Sequence, residues 1–124
     1  VEALSAAGRT VGVATSRLQD SAEQMISSLP LPPFDAIVGR IDGVRHTKEA
    51  CVRACLERLG AAPGDAVLVG DRRFDVEGAH AVGLPCIGVY RDEDARAELE
   101  RAGADALCTD AAGLAALLGC ALTA

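Results

Sequence analysis

The chain has 124 residues, of which 50% are apolar and 24% charged, enough for one core and far from a disordered or collagen-like composition. With two Phe, one Tyr and no Trp, the core must come from Ala, Val, Leu and Ile, and aromatic platforms for stacking bases are excluded. Twelve Lys and Arg against 18 Asp and Glu leave a net charge of −6, which opposes nucleic acid and anionic membrane surfaces as partners and still allows a local cationic or metal site.

Short apolar runs alternate with helical patterns, and residues 1–124 read as a single α/β domain. Val11–Ala14 is the first predicted strand, and Ser16 with Gln19 resembles a capping box for a helix whose face is Ala22, Met25, Ile26 and Leu29. The segment Leu29-Pro30-Leu31-Pro32-Pro33 stops that helix. Ala36–Val38 is the second strand, and Thr47 is placed to cap a helix striped by Cys51, Val52, Cys55, Leu56 and Leu59 and closed by Gly60. Ala66–Val69, Cys86–Val89 and Ala106–Cys108 complete five predicted strands, with helices over Val76–Val82, Glu93–Ala102 and Gly113–Leu118.

Runs that are continuously apolar belong to strands buried on both faces, and intervening helices make them parallel. The fold class is therefore α/β, a doubly wound parallel sheet, in which ligands sit beyond the carboxyl ends of the strands. The residues there are Thr15-Ser16-Arg17, Gly39-Arg40, Gly70-Asp71 and Tyr90-Arg91-Asp92. The five cysteines lie in apolar runs without CxxC spacing, so they read as buried small hydrophobes in a reduced, cytoplasmic setting. No signal-peptide pattern opens the chain, and the late apolar stretch Ala111–Ala124 is too short to span a bilayer.

Three segments carry chemistry. In Gly70-Asp71-Arg72-Arg73-Phe74-Asp75 a buried strand ends in a tight turn, so the Asp71 and Asp75 carboxylates can face one spot. Two unit charges about 6 Å apart repel by roughly 3 kcal/mol at an effective dielectric of 20, a cost that a hard cation such as Mg²⁺ removes. The same spacing also fits a turn aspartate followed by a helix N-cap. Thr15 and Ser16 offer hydroxyls and amides to a phosphoryl group, or simply a cap. Lys48 opens a helix, where a cation opposes the dipole and calls for an anionic partner unless it is merely solvated. His46 and His80 lack metal-ligand spacing, and Asp92-Glu93-Asp94 reads as a solvated helix start. Neither GxxxxGK[ST] nor a post-strand GxGxxG occurs, which speaks against nucleotide P-loops and dinucleotide sites.

Hydroxyl, lysine and GDxxxD, in that order on successive strand–helix units, resemble the haloacid-dehalogenase superfamily, and within it the phosphoglycolate phosphatase and nucleotidase group. The likeness runs from Val11-Gly12-Val13-Ala14-Thr15-Ser16 through His46-Thr47-Lys48-Glu49 to Gly70–Ala79 and Gly83–Val89. It implies an Mg²⁺-dependent phosphatase acting on a small phosphorylated metabolite. Thr15 would bind the transferred phosphoryl group, Ser16 would add a contact, and Lys48 would neutralise phosphate and nucleophile. Asp71 and Asp75 would serve the metal, Asp71 as ligand and Asp75 by orienting a metal-bound water or Lys48. These side chains are expected to converge at the carboxyl edge of one sheet.

The family's DxDGT motif, with its nucleophilic aspartate, and its cap domain have no counterpart in these 124 residues, and Tyr90–Asp94 replaces a glycine-rich turn. A fragment without its nucleophile and a non-catalytic phosphate-binding or interaction module both fit. A receiver-like signalling domain does not, because its acidic pair precedes its hydroxyl and lysine. The strand bearing DxDGT is central in the family, so its absence leaves unpaired edges. The expected outcomes are direct pairing of Val11–Ala14 with Ala66–Val69 or a destabilised domain that self-associates through those edges.

Overall fold

A computed structural model describes residues 8–29 and 34–118. All five expected strands are present: β1 (Gly12–Leu18), β2 (Ala36–Arg40), β3 (Leu68–Gly70), β4 (Cys86–Val89) and β5 (Ala106–Cys108). Five α-helices alternate with them: α1 (Gln19–Ser27), α2 (Lys48–Leu59), α3 (Arg73–Val82), α4 (Glu93–Ala102) and α5 (Ala111–Leu118), with a short 3₁₀ turn at Pro63–Asp65. The α/β class with parallel pairing is as expected, but the strands form two sheets. The chain divides into two compact units, residues 1–61 and 62–124.

In the first unit β1 and β2 pair in parallel, Gly12 opposite Ala36, Val13 opposite Ile37 and Ala14 opposite Val38. The register then slips, and Leu18 meets Arg40. Helix α2 packs on this pair, burying Val38 and Cys51 completely beside Ala36 and Cys55. The helix forms there because Thr47 Oγ1 accepts from the Ala50 amide at 3.1 Å and Gly60, at φ +65°, ends it with a left-handed turn. The expected cysteine role holds: Cys51 and Cys55 are buried, and burial pushes both thiols above their ordinary pKa. Gly12 is required because a Cβ there would come within 2.6 Å of Cys55 Sγ.

Two readings of this unit need correction. Ser16 does not cap α1, because β1 continues through it to Leu18, the residue at the cap position, which makes no side-chain cap. The amphipathic face of α1 is also only partly used: Ala22 is fully buried while Met25 and Leu29 are exposed. The proline-rich stop at residues 30–33 and Cys120 lie outside the described residues.

In the second unit β3, β4 and β5 form a parallel sheet in that order, with Val69 opposite Ile87 and Gly88 opposite Leu107. Helices α3 and α4 pack on it and on each other through Val76, Ala79 and Leu99, all fully buried. Gly88 admits Leu99, whose Cδ1 would lie 2.8 Å from a Cβ at that position. The expected pairing of Val11–Ala14 with Ala66–Val69 is not formed: among the described residues β1 pairs with β2 alone and β3 with β4 alone. Nor is β3 buried on both faces, since Val67 and Val69 are about two-fifths exposed. A strand at the edge of its sheet lacks the second neighbour that its apolar composition anticipates.

Candidate functional site

Thr15 and Ser16 lie within β1, where its register with β2 slips after Ala14. Lys48 is the first residue of α2, so the Thr47 cap fixes where its side chain starts, and its Nζ donates to the Ala14 carbonyl at 2.5 Å. The ammonium therefore sits against the residue preceding Thr15. At the register slip Thr15 Oγ1 accepts from the Arg17 amide at 3.1 Å, and the Ser16 carbonyl accepts from Arg40 Nε at 3.2 Å. The slip takes these backbone groups out of regular pairing and binds them with side chains instead.

Gln19, read from the sequence as half of a capping box, and Arg45, which sequence reasoning passed over, hold this junction. The Gln19 amide donates to the Ile37 carbonyl at 2.9 Å and accepts from the Gly39 amide at 2.6 Å, so one side chain continues the ladder beyond β1. Arg45 donates to the Gly39 carbonyl at 2.7 Å and to Gln19 Oε1 at 2.9 Å. Gly39 lies so close to the chain that a Cβ would meet the Arg17 carbonyl oxygen at 2.6 Å. The Gly39-Arg40 pair after an apolar run was a signal for this junction; a glutamine bonding to a distant strand leaves no local pattern of its own.

The second unit holds Asp71 and Asp75. Asp75 is the third residue of α3 rather than its N-cap, which is Arg72. Its Oδ2 accepts from the amides of Asp71 at 3.1 Å and Arg72 at 3.2 Å, satisfying donors that a helix start leaves unpaired. Gly70 makes room for it, because a Cβ there would lie 2.3–2.4 Å from Asp75 Cβ, Cγ and Oδ2. Asp71 is exposed in the turn that follows β3, at the carboxyl edge of this sheet. Helix α4 braces the turn: Glu98 bonds Arg72 Nε at 2.9 Å and the Arg73 amide at 3.1 Å, and these contacts hold its carboxyl below the usual range. The guanidinium groups of Arg72 and Arg73 lie 5.5 and 4.9 Å from the centre of the exposed Phe74 ring.

Asp71 and Asp75, four residues apart in sequence, one exposed in the turn and the other anchored by amides, offer hard oxygen donors of the kind Mg²⁺ takes. Such an ion takes one or two protein carboxylates and completes its octahedron with water and phosphate oxygens. Among the described residues no group of three or more His, Cys, Asp or Glu is assembled. Both histidines are hydrogen-bonded. His46 accepts from the Gly43 amide at 3.0 Å within its loop, and His80 pairs on the helix surface with Asp105 at 2.8 Å. Asp92 caps α4, accepting from the Ala95 amide at 2.8 Å.

Known proteins resemble this chain over most of its length. The sequence profile of the haloacid dehalogenase-like hydrolases matches residues 1–89. A 5'-nucleotidase of Pseudomonas aeruginosa is 34% identical over 120 residues, which are 95% of this chain and 54% of that protein. A phosphoglycolate phosphatase of Rhodospirillum rubrum is 34% identical over 119 residues, 94% of this chain and 49% of the relative. The crystal structure of a predicted phosphatase from Clostridium acetobutylicum superposes with a TM-score of 0.85 at 34% identity, covering 94% of this chain and 55% of the other. The chain thus spans about half the length of the curated relatives it matches. No helix among the described residues is long and apolar enough to cross a membrane. Because the matched profile extends over residues 1–89, most of the sequence, the chain belongs to the haloacid dehalogenase-like hydrolase family.

Proposed function

We propose that this chain carries phosphate- and metal-binding residues of an Mg²⁺-dependent phosphate monoester hydrolase, phosphoglycolate phosphatase-like in substrate size, whose nucleophile is not among these 124 residues. The observation that supports it most is Lys48 Nζ held at the carbonyl of Ala14, the residue that precedes the Thr15 and Ser16 hydroxyls in the chain. Thr15 and Ser16 donate to oxygens of the transferred phosphoryl group, and Lys48 balances its charge. Asp71 and Asp75 hold Mg²⁺, which when bound supplies further neutralisation of phosphoryl oxygens. Asp75 keeps its orientation through the Asp71 and Arg72 amides. The substrate is a small phosphorylated metabolite, and the free, buried cysteines suit a reducing cytoplasm.

A second reading, a non-catalytic phosphate-binding module, draws on the absence of DxDGT from the sequence. Both readings require phosphate binding, and the test begins there. In the presence of Mg²⁺, inorganic phosphate should shift the amide resonances of Thr15, Ser16 and Asp71, and Lys48→Ala should abolish the shifts at Thr15 and Ser16. The chain alone should not hydrolyse p-nitrophenyl phosphate, because losing a covalent nucleophile costs many powers of ten even when binding groups remain. Turnover that disappears in Asp71→Asn would instead establish a substitute nucleophile within these residues.

A further inference from the structure

The turn that carries Asp71 is held from two sides. From within, Asp75 Oδ2 accepts from the Asp71 and Arg72 amides. From α4, Glu98 Oε2 accepts from Arg72 Nε at 2.9 Å and from the Arg73 amide at 3.1 Å, while its Oε1 accepts from Arg72 Nη2 at 3.4 Å. Glu98 reaches the turn from a fixed base, because the next residue of α4, Leu99, is fully buried, and its own side chain is only 25% exposed.

Arg72 follows Asp71 directly and is its rival for a cation's place. Its side chain is 58% exposed, and a guanidinium is well matched to a carboxylate. It also stands at the N-terminus of α3, where the helix dipole disfavours a cation. The Glu98 hydrogen bond first, the Glu98 charge next, and then the charges of Asp71 and Asp75 favour the charged guanidinium, so both aspartates act on it electrostatically. Yet among the described residues the Asp71 carboxylate forms no hydrogen bond or ion pair, because the guanidinium is turned to Glu98 and lies 5.5 Å from the centre of the Phe74 ring.

We propose that Glu98 is a positioning residue that keeps the Arg72 guanidinium off the Asp71 carboxylate and so leaves that carboxylate open to a divalent cation. This rests on the proposed role of Asp71 and Asp75 in holding Mg²⁺. A guanidinium and Mg²⁺ compete for the same oxygens, and Glu98 offers Arg72 a second carboxylate that the Arg73 amide already orients. With both of its oxygens taken by donors of the turn, Glu98 acts as a brace and not as a ligand.

The test is NMR of the chain and of its Glu98→Gln, Arg72→Gln and doubly substituted forms. Glu98→Gln should weaken Mg²⁺ binding, read at the Asp71 amide, by about two- to fivefold, the advantage that an exposed ion pair confers on a competitor. Adding Arg72→Gln should restore the affinity to within about twofold of the wild-type chain, and Arg72→Gln alone should not weaken it. Without metal, Asp71→Asn should leave the Arg72 Nε–H resonance in place in the wild-type chain and move it in the Glu98→Gln background, where Arg72 has turned to Asp71. A resonance indifferent to Asp71→Asn in that background would reduce the affinity loss to an effect of net charge and overturn the inference. A double variant that binds Mg²⁺ no better than Glu98→Gln, or a loss in Arg72→Gln alone, would overturn it in favour of a turn that merely loosens. If Mg²⁺ moves the Asp71 amide in none of the forms, the metal site itself fails and this inference falls with it, an outcome distinct from Mg²⁺ binding that ignores Glu98.

Discussion

Single side chains bonded to backbone groups shape both candidate clusters. Gly70 is needed less for its own backbone angles than for the Asp75 carboxylate packed over it. Gly70→Ala should destabilise the second unit by about 2 kcal/mol or more, as forced overpacking does, and release the Asp71 and Arg72 amides to fast hydrogen exchange. An unchanged melting temperature would contradict the packing described. Asp105 plays a comparable part at the other end of the same sheet, where its Oδ2 accepts from the Cys86 amide at 2.8 Å and meets His80 Nε2. The His80 hydrogen bond first, and the Cys86 amide next, hold its carboxyl below the ordinary value. A carboxyl lowered in the folded state adds stability above its unfolded pKa near 4, and that stability is lost as pH falls through the folded value. Because the side chain is half-exposed, Asp105→Asn should cost at most about 1 kcal/mol at pH 5, and urea titrations should show the difference shrinking towards pH 3.

Among the elements, the helices needed little beyond local signals, whereas the strands depended on neighbours. Thr47, Gly60, Gly83 and Gly103 bound α2, α3 and α4 through a side-chain cap and left-handed turns, patterns visible in sequence. The start of α1 was misplaced because Ser16 and Gln19 have capping-box spacing. In the fold the Gln19 side chain is taken by Ile37 and Gly39, a bond to another strand that outweighs a local cap. Helix α4 contributes Leu99, fully buried against the Gly88 backbone. Leu99→Ala should therefore lose about 2–5 kcal/mol, measured by denaturant unfolding, and a loss under 1 kcal/mol would mean that the pocket closes over the gap.

At the scale of the molecule, the parallel strands form two sheets where one was expected, and β3 presents an exposed Val69, with Val67 exposed just before it. Apolar strand edges without a neighbour template pairing with other chains. Self-association is accordingly expected to rise with protein concentration in sedimentation experiments. Val69→Lys should suppress it while changing stability by no more than about 0.5 kcal/mol, since the residue is 41% exposed. Association that persists unchanged in this variant would move the contact away from β3.

The sequence by itself determined the α/β class, five strands near their observed positions, the buried cysteines and the residue types of both candidate clusters, because apolar runs, caps and turn glycines act within a few residues. Tertiary structure alone decided which strands pair, that β1 overruns its apolar run to reach Leu18, and that Asp75 caps from the third helical position over Gly70. It also decided that Gln19, Arg40 and Arg45 hold the backbone around the register slip, and that Lys48 reaches the Ala14 carbonyl. The reason is one of range. A hydrogen bond or a steric gap between residues twenty or more positions apart depends on where the backbone has been brought, and no local periodicity encodes that position.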